Sequence, residues 1–226
     1  MSIKTKLDKF WEMRKDFEPL ISRRRIWDLK SFTRDKRQVG LIFPIKERTV
    51  LEKLNKINQK LSGFDSYNPF PHEHFHITIK ILGTLDNADE EPDDYKIAEI
   101  DDIIMKLNTG LSWFKRFKIN ICRINLFPSV VFAEIHDNGR FSELNGHICD
   151  IPNIQTLPDR DLENFIPHIA IGNFKNSDTD ELIKTLEKFR NTDFGTVYVD
   201  SLDLVKVDLT QTVPAFETLE KIKLGK

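Results

Sequence analysis

Two short stretches, HITIKILG at residues 76–83 and HIAIGNF at residues 168–174, decide the predicted fold. Each is an extended run in which buried-type residues alternate with other types, as expected of a strand with one core face. Each is flanked by helix-like segments and further strands, and the order strand–helix–strand–helix–strand occurs once in each half of the chain. Two such units predict a pair of similar lobes rather than a solenoid.

The rest of the sequence predicts further strands and helices around these two strands. Strands are predicted at residues 38–45, 117–127, 129–135, 194–209 and 215–224, and helices at residues 5–30, 47–63, 95–108, 141–148 and 177–191. The predicted fold class is therefore α+β: two pseudo-symmetric lobes, each an antiparallel sheet with helices on the outside, and an active cleft between the lobes. We predict a basic helical extension over residues 1–35, packed on the outside of one lobe, and a two-lobed domain over residues 36–226.

Size and composition exclude several classes of protein. The chain has 226 residues, of which 39% are hydrophobic, and this suffices for one good core. It contains no apolar run of about 18 residues, and its first residues lack the apolar centre of a signal peptide. Two cysteines make no disulfide framework. We therefore predict a cytoplasmic protein with no membrane contact, and the composition leaves its oligomeric state open.

The net charge of −2 hides a basic N-terminal part. Residues 1–50 contain 14 Lys and Arg against 7 Asp and Glu. Such a patch attracts RNA phosphates by releasing their counterions. Residues 23–37 are therefore a candidate RNA contact, and the alternative is a solvated helix face that keeps the protein in solution.

The paired histidines carry the predicted chemistry. Side chains two apart on a strand share a face, so His76, Thr78 and Lys80 are predicted to face the cleft, with His168 and Ala170 on the other lobe. Two imidazoles with an ordinary pKa near 6.5 can act as acid and base at one phosphorus atom. The Thr78 hydroxyl and the Lys80 ammonium would hold phosphate oxygens, and neither a metal nor another cofactor is needed.

A metal site is the main rival interpretation of the histidine cluster. His72, His74 and His76 recur at every second position and could in principle ligate zinc. However, same-face neighbours on an extended strand are about 7 Å apart, which is too wide for three bonds of about 2 Å to one ion. The alternative of a histidine-ligated metallohydrolase stays open at this point.

The two motifs resemble those of the two-histidine (2H) phosphoesterases, in particular the LigT-like branch of 2′-5′ RNA ligases and RNA cyclic phosphodiesterases. That family carries two His-x-Thr/Ser motifs, and HITIKILG fits the first of them. The resemblance extends to FKINICRINLFPS, PHIAIGNF and FETLEKIKL, and covers roughly residues 36–226. It implies an enzyme that breaks 2′,3′-cyclic phosphates or 2′-5′ linkages of RNA ends or small nucleotides, with His76 and His168 as catalytic acid and base and Thr78 as a phosphate contact.

Two positions depart from the family pattern. Ala170 stands where the second hydroxyl is expected, and Asn173 stands near the place where relatives often carry an arginine. One lost neutral hydrogen bond costs about 1 kcal/mol, which would slow an enzyme without abolishing its activity. Lys80 or Asn173 could compensate. The alternative is a catalytically weak or inactive nucleotide-binding or RNA-end-binding module of the same fold.

Aromatic residues at the strand ends are candidates for contact with a nucleobase. Phe127 and Phe174 lie beside the predicted cleft, where a base could stack on them. The alternative for each of them is packing in the core or between the lobes.

Overall fold

The computed structural model describes residues 2–20, 37–85, 94–95, 99–208 and 215–226. Its α-helices are α1 (Ile3–Glu12), α2 (Arg48–Leu61), α3 (Ile100–Leu111), α4 (Arg140–Cys149) and α5 (Asp180–Phe189). Its strands are β1 (Arg37–Pro44), β2 (Tyr67–Pro69), β3 (His76–Leu85), β4 (Asp94–Tyr95), β5 (Phe117–Leu126), β6 (Val130–His136), β7 (His168–Phe174), β8 (Asp193–Val199), β9 (Ser201–Asp208) and β10 (Ala215–Lys223). Short 3₁₀ turns occur at Met13–Asp16, His72–His74 and Leu162–Asn164.

The described strands form one sheet made of two halves, and their pairings are antiparallel except for the short parallel pairing of β4 with β3. Its order is β10-β9-β1-β3-β7-β6-β5-β8, with β2 added beside β7 and β4 beside β3. The halves meet at β3 and β7, where Ile77 is paired with Ile169. The predicted α+β class with two similar halves is confirmed, but the halves do not follow the chain order, because β9 and β10 return to pair beside β1.

Helices α2 to α5 supply amphipathic faces that build the core. In α2, for example, Val50, Leu54, Ile57 and Leu61 recur at helical spacing and are buried. They belong to the same apolar cluster as Ile77, Ile79, Ile169 and Ile171 from the two central strands. The isoleucines of both motifs therefore point into the core as the alternation predicted, and the intervening residues lie on the opposite face.

The helix α1 packs on that opposite face, and not on the outside of a lobe as predicted. The carbonyl of Leu7, which is buried, accepts a hydrogen bond from the buried Asn125 side chain (2.8 Å). Asn125 is paired with Phe132, and the Phe132 ring contacts the ring of His168. The N-terminal helix thus covers part of the face that carries the second histidine. An amphipathic pattern specifies that one side of a helix is buried but not which surface it covers.

Each central strand has a β-bulge three residues after its histidine. On β3 the pairing with β1 skips Ile79, and on β7 the pairing with β6 skips Ile171. A bulge reverses the alternation of side chains beyond it, because one extra residue is inserted on one strand. Residues four and six positions after each histidine are thereby turned towards the core.

Two further predictions differ from the structure. The predicted helix over residues 5–30 ends at Glu12 and is followed by a 3₁₀ turn and then by extended backbone at Phe17. Residues 21–36, and with them most of the basic segment 23–37, lie outside the described residues. The predicted strand over residues 194–209 is divided at Asp200 into β8 and β9. Among the helices described, none combines the length and the apolar character needed to cross a membrane.

Candidate active site

The pairing of β3 with β7 brings the two motifs side by side. Ile77 lies opposite Ile169 in an antiparallel register. The same register, carried one residue in each direction, sets Thr78 across from His168 and Ala170 across from His76. All four side chains are partly exposed on the face away from the isoleucine core. Diagonal neighbours of this kind have Cα atoms about 7 to 8 Å apart, so the two imidazoles border one narrow space.

The two histidine rings are oriented by the same kind of hydrogen bond. Nδ1 of His76 lies 2.6 Å from the carbonyl oxygen of His74, and Nδ1 of His168 lies 2.8 Å from that of Ile166. A carbonyl oxygen only accepts, so each Nδ1 carries the proton, and in a neutral ring each Nε2 carries the lone pair. Nε2 of His76 accepts from the Thr78 hydroxyl (3.2 Å). Both rings are therefore presented in the tautomer that leaves Nε2 as the working atom.

Although they are partly exposed, both imidazoles have lost much of their hydration and are poor bases in the ligand-free protein. The loss of hydration lowers the pKa of His76 to about 4, the hydrogen bond to His74 opposes this, and the charge of a protonated His168 lowers it further. Burial also lowers the pKa of His168, against the opposing effect of its bond to Ile166. The pair is thus neutral at neutral pH, and the repulsion between the rings disfavours two protons at once.

Aromatic rings stand beside each histidine. Phe216 on β10 lies edge-on to His76, with ring centroids 5.0 Å apart. Phe127 lies edge-on to His168 at 4.9 Å and stacks on Phe132 at 4.1 Å. These rings exclude water from one side of each imidazole and so contribute to the loss of hydration that lowers both pKa values.

A cavity of about 410 Å³, the cleft cavity, opens next to His168 and Thr78. Other residues lining it include Phe10 of α1, Phe127, and Arg160, Asn164, Phe165 and Ile166 of the segment before β7. Phe10 lies edge-on to Phe127, with centroids 4.7 Å apart. One wall of the cleft cavity is therefore aromatic and is partly built by the N-terminal helix.

The side chain of Lys80 does not lie on the cleft face, where the alternation along β3 predicted it. The bulge at Ile79 turns its side chain inwards, where it is 1% exposed. Its ammonium makes an ion pair with the buried carboxylate of Asp161, at 2.5 Å. Asp161 also accepts from the Asn145 amide and from the backbone of Leu157. The prediction that Lys80 shares the face of His76 and Thr78 is wrong, and its charge is neutralised inside the protein.

The second bulge has the same effect on β7. Phe174 turns into the core, where it is 5% exposed and packs against Phe17 with centroids 4.9 Å apart. It is therefore corrected from a cleft residue to a core residue. Asn173 stays partly exposed and accepts a hydrogen bond from the Asn68 amide (2.9 Å). Ala170 remains on the face of His168, so that face lacks the hydroxyl that Thr78 supplies on β3.

The three-histidine strand does not form. His72 and His74 belong to a 3₁₀ turn, and β3 begins only at His76. No group of three or more His, Cys, Asp or Glu side chains within the described part of the chain is arranged to hold a metal ion. The metallohydrolase alternative therefore has no geometric support at this cluster.

Sequence reasoning missed four residues that line the cleft cavity or contact a histidine ring. They are Phe10, Phe132, Arg160 and Phe216. Their long-range positions depend on which strands become neighbours, and one sequence does not reveal this. Only Phe216 carried a signal, since it lies in the closing stretch FETLEKIKL that already matched the family pattern.

The fold and the paired motifs define a protein of the LigT-like, two-histidine phosphoesterase class. The family model described as the AKAP7 2′5′ RNA ligase-like domain matches residues 41–224, and the chain belongs to that family. This confirms the membership that the motifs predicted. The family match begins after α1. Phe10, which helps to line the cleft cavity, therefore lies outside the part of the chain that matches the family model.

Known proteins resemble the chain over most of its length. It is 28% identical to the RNA 2′,3′-cyclic phosphodiesterase of Methanocaldococcus jannaschii over 155 residues, which is 66% of this chain and 80% of that protein. It is 22% identical to the enzyme of the same name from Methanothermobacter thermautotrophicus over 181 residues, 76% of this chain and 91% of that protein. The structure of E. coli LigT complexed with NADP+ has a TM-score of 0.62 at 13% identity, covering 84% of this chain and 99% of LigT. At that identity the LigT match shows the fold alone.

Proposed function

We propose that this protein is a metal-independent phosphodiesterase that cleaves 2′,3′-cyclic phosphates or 2′-5′ linkages of RNA ends or small nucleotides. His76 and His168 act as its general acid and base, and Thr78 binds a phosphate oxygen. The observation that carries the proposal is the diagonal arrangement of two Nδ1-protonated imidazoles on adjacent strands. The names of the two archaeal relatives support the same reaction type.

The chemistry needs one proton accepted and one proton donated. In hydrolysis of a cyclic phosphate, Nε2 of one neutral imidazole takes a proton from water as the water oxygen bonds to phosphorus. The bond from phosphorus to a ribose oxygen breaks, and the protonated second imidazole donates its proton to that oxygen. A ring-opened phosphomonoester leaves with one imidazole protonated and the other neutral. The pair is restored by exchange with solvent.

The electrostatics of the pair suit this division of work. Repulsion between His76 and His168 favours a single proton on the two rings. An anionic phosphate bound between them raises the pKa of the nearer imidazole, because it stabilises the charged form. Substrate binding would therefore supply the protonated acid that the ligand-free cleft lacks at neutral pH.

The aromatic wall of the cleft cavity suits a nucleoside. Phe127 and Phe10 are the rings on which a base could stack or lie edge-on. Structures of E. coli LigT, which share the fold, hold NADP+ or 3′-AMP. We therefore favour a nucleotide or an RNA end as the substrate over a phosphodiester without a base.

A product assay tests the proposal. The purified protein is incubated with 2′,3′-cyclic nucleotides and with 2′-5′ dinucleotides in the presence of EDTA, and the products are separated by chromatography. Turnover that is insensitive to EDTA is the expected result. Activity abolished by EDTA and restored by zinc would instead support the alternative that the protein is a metallohydrolase.

The second candidate is a binding module of the same fold with little or no turnover. Ala170 favours it, because the second phosphate-binding hydroxyl is missing. Tight 3′-AMP binding that survives His76→Ala and His168→Ala, with no product from any substrate in the panel, would support this candidate and exclude the enzyme.

The basic segment 23–37 remains a proposed RNA contact and residues 1–35 a proposed extension. Because α1 packs over the buried Asn125, deleting the whole extension would disturb the cleft face. Replacing Arg23, Arg24 and Arg25 by Gln is the cleaner test. It should weaken binding of long RNA and flatten its salt dependence while sparing small cyclic nucleotides.

A further inference from the structure

Arg160 lies in the segment between α4 and β7 and lines the cleft cavity with His168 and Thr78. Its side chain is exposed, and it makes no ion pair with a carboxylate in the described part of the chain. The other charged groups lining the cavity are the exposed Asp159 and the mutually paired Lys80 and Asp161. Among the described residues that line the cavity, Arg160 is thus a cation whose charge is not neutralised by a buried carboxylate.

The residue after Arg160 is held unusually firmly. Asp161 is 3% exposed, and its ion pair with Lys80 joins the segment to β3. Asn145 of α4 donates to the same carboxylate (3.1 Å) and also to the carbonyl of Ile79 (2.9 Å). Removing one member of a buried charged pair is costly, because the other charge is left unpaired. The pair therefore fixes the backbone at Arg160.

The backbone of the segment is strained at the next position. Leu162 has φ of 52°, in the left-handed region that residues with a Cβ rarely adopt. Its N–H donates to the Asn145 side-chain oxygen (2.8 Å), which holds it in this conformation. The Asn164 amide closes the segment by donating to the Pro158 carbonyl (2.8 Å). Strain that the surroundings maintain in this way is concentrated at functional sites.

We propose that Arg160 binds the phosphate of the substrate, and that the buried Lys80–Asp161 pair with Asn145 is the device that positions it. Lys80 thereby acts on the phosphate only indirectly. The guanidinium offers a planar fork of donors that matches two phosphate oxygens, and it supplies the contact that Ala170 cannot make. This inference rests on the proposed function, since it assigns a phosphate to the same cleft.

Arginine substitutions with a matched control test the assignment. We would compare wild type, Arg160→Gln and Arg160→Lys, with Arg116→Gln as the control. Arg116 is also exposed, but it precedes β5 at the end opposite Phe127, about 30 Å away. Two quantities are measured for each protein: the dissociation constant of 3′-AMP by calorimetry, and kcat and KM for 2′,3′-cyclic AMP.

Arg160→Gln should weaken 3′-AMP binding and lower kcat/KM by about tenfold to a hundredfold, the usual range for a hydrogen bond to a charged group. For Arg160→Lys, both 3′-AMP affinity and kcat/KM should lie between the values for wild type and Arg160→Gln, because lysine keeps the charge but lacks the planar fork of donors. Arg116→Gln should match wild type. Equal 3′-AMP binding by wild type and Arg160→Gln would overturn the assignment, even if wild type hydrolyses the cyclic nucleotide. Weakened binding by Arg160→Gln in a protein with no turnover would support the assignment while the proposed enzyme fails.

The positioning role of Asp161 has its own readout. If Asp161 acts through Arg160, then in an Asp161→Asn background the further change Arg160→Gln should alter 3′-AMP affinity less than about threefold, since the effects of coupled residues are not additive. Full additivity of the two effects would show that Asp161 supports the fold only, and would overturn the positioning role.

Discussion

Ile77 lies directly opposite Ile169 where the two half-sheets join, and this pairing sets the spacing of the catalytic candidates. Because the strands are antiparallel, His76 and His168 become diagonal neighbours with Cα atoms about 7 to 8 Å apart. The isoleucines face the core, so packing of the two halves fixes the gap on the other face. The proposed mechanism places one phosphate between the two rings.

The pH dependence of activity should reflect the two poorly hydrated imidazoles. Because burial holds the pKa of His76 at about 4 and lowers that of His168, the singly protonated free enzyme is most abundant at acid pH. We expect kcat/KM for 2′,3′-cyclic AMP to be highest below about pH 6.5, the ordinary histidine pKa. The measurement is a kcat/KM profile from about pH 4 to about pH 9. A profile still rising above neutral pH would contradict the account.

Stability should fall as the pH falls through the same range. The unfolded chain protonates His76 near its ordinary pKa, about 6.5, whereas the folded protein protonates it only near pH 4. Between these values the unfolded state binds more protons, so the free energy of unfolding rises with pH and the effect is complete above about pH 6.5. Urea unfolding should show a shallower pH dependence in His76→Gln than in wild type, by up to about 1.4 kcal/mol per pH unit. Parallel curves would show that His76 is not the responsible group.

Restoring the missing hydroxyl should help the reaction. Ala170 shares the cleft face with His168, so Ala170→Thr introduces a hydroxyl donor on that face. We expect kcat/KM to rise by about fivefold, which corresponds to one neutral hydrogen bond. Thr78→Val removes the corresponding hydroxyl on β3 and should lower kcat/KM by a similar factor. A loss of activity in Ala170→Thr would mean that this position tolerates only a small side chain.

The N-terminal helix should contribute to nucleotide binding. Phe10 lines the cleft cavity, whereas Phe17, farther along the same segment, packs on the core residue Phe174. Phe10→Ala should raise KM for 2′,3′-cyclic AMP by about tenfold through lost contact with the base. Phe17→Ala is the control and should leave KM unchanged. Ribose 2′,3′-cyclic phosphate has no base, so an equal effect of Phe10→Ala on that compound would refute a base contact.

The sequence predicted much of this arrangement because its signals are local. Alternation identified the core isoleucines of both motifs, and the repeat paired His76 with His168 before any sheet order was known. The errors at Lys80 and Phe174 have one cause, since each follows a bulge that depends on the pairing partner of the strand. The position of α1 and the return of β9 and β10 are likewise long-range packing choices, and no periodicity encodes them.

The most direct test of the two-histidine mechanism is a double-mutant cycle measured as kcat for 2′,3′-cyclic AMP in the presence of EDTA. His76→Ala and His168→Ala should each lower kcat by about 10² to 10⁴-fold, while His147→Ala on α4 has no effect. The double variant should lose little more than the worse single variant, because two groups serving one reaction act as a unit. Full activity in either single variant would contradict the mechanism.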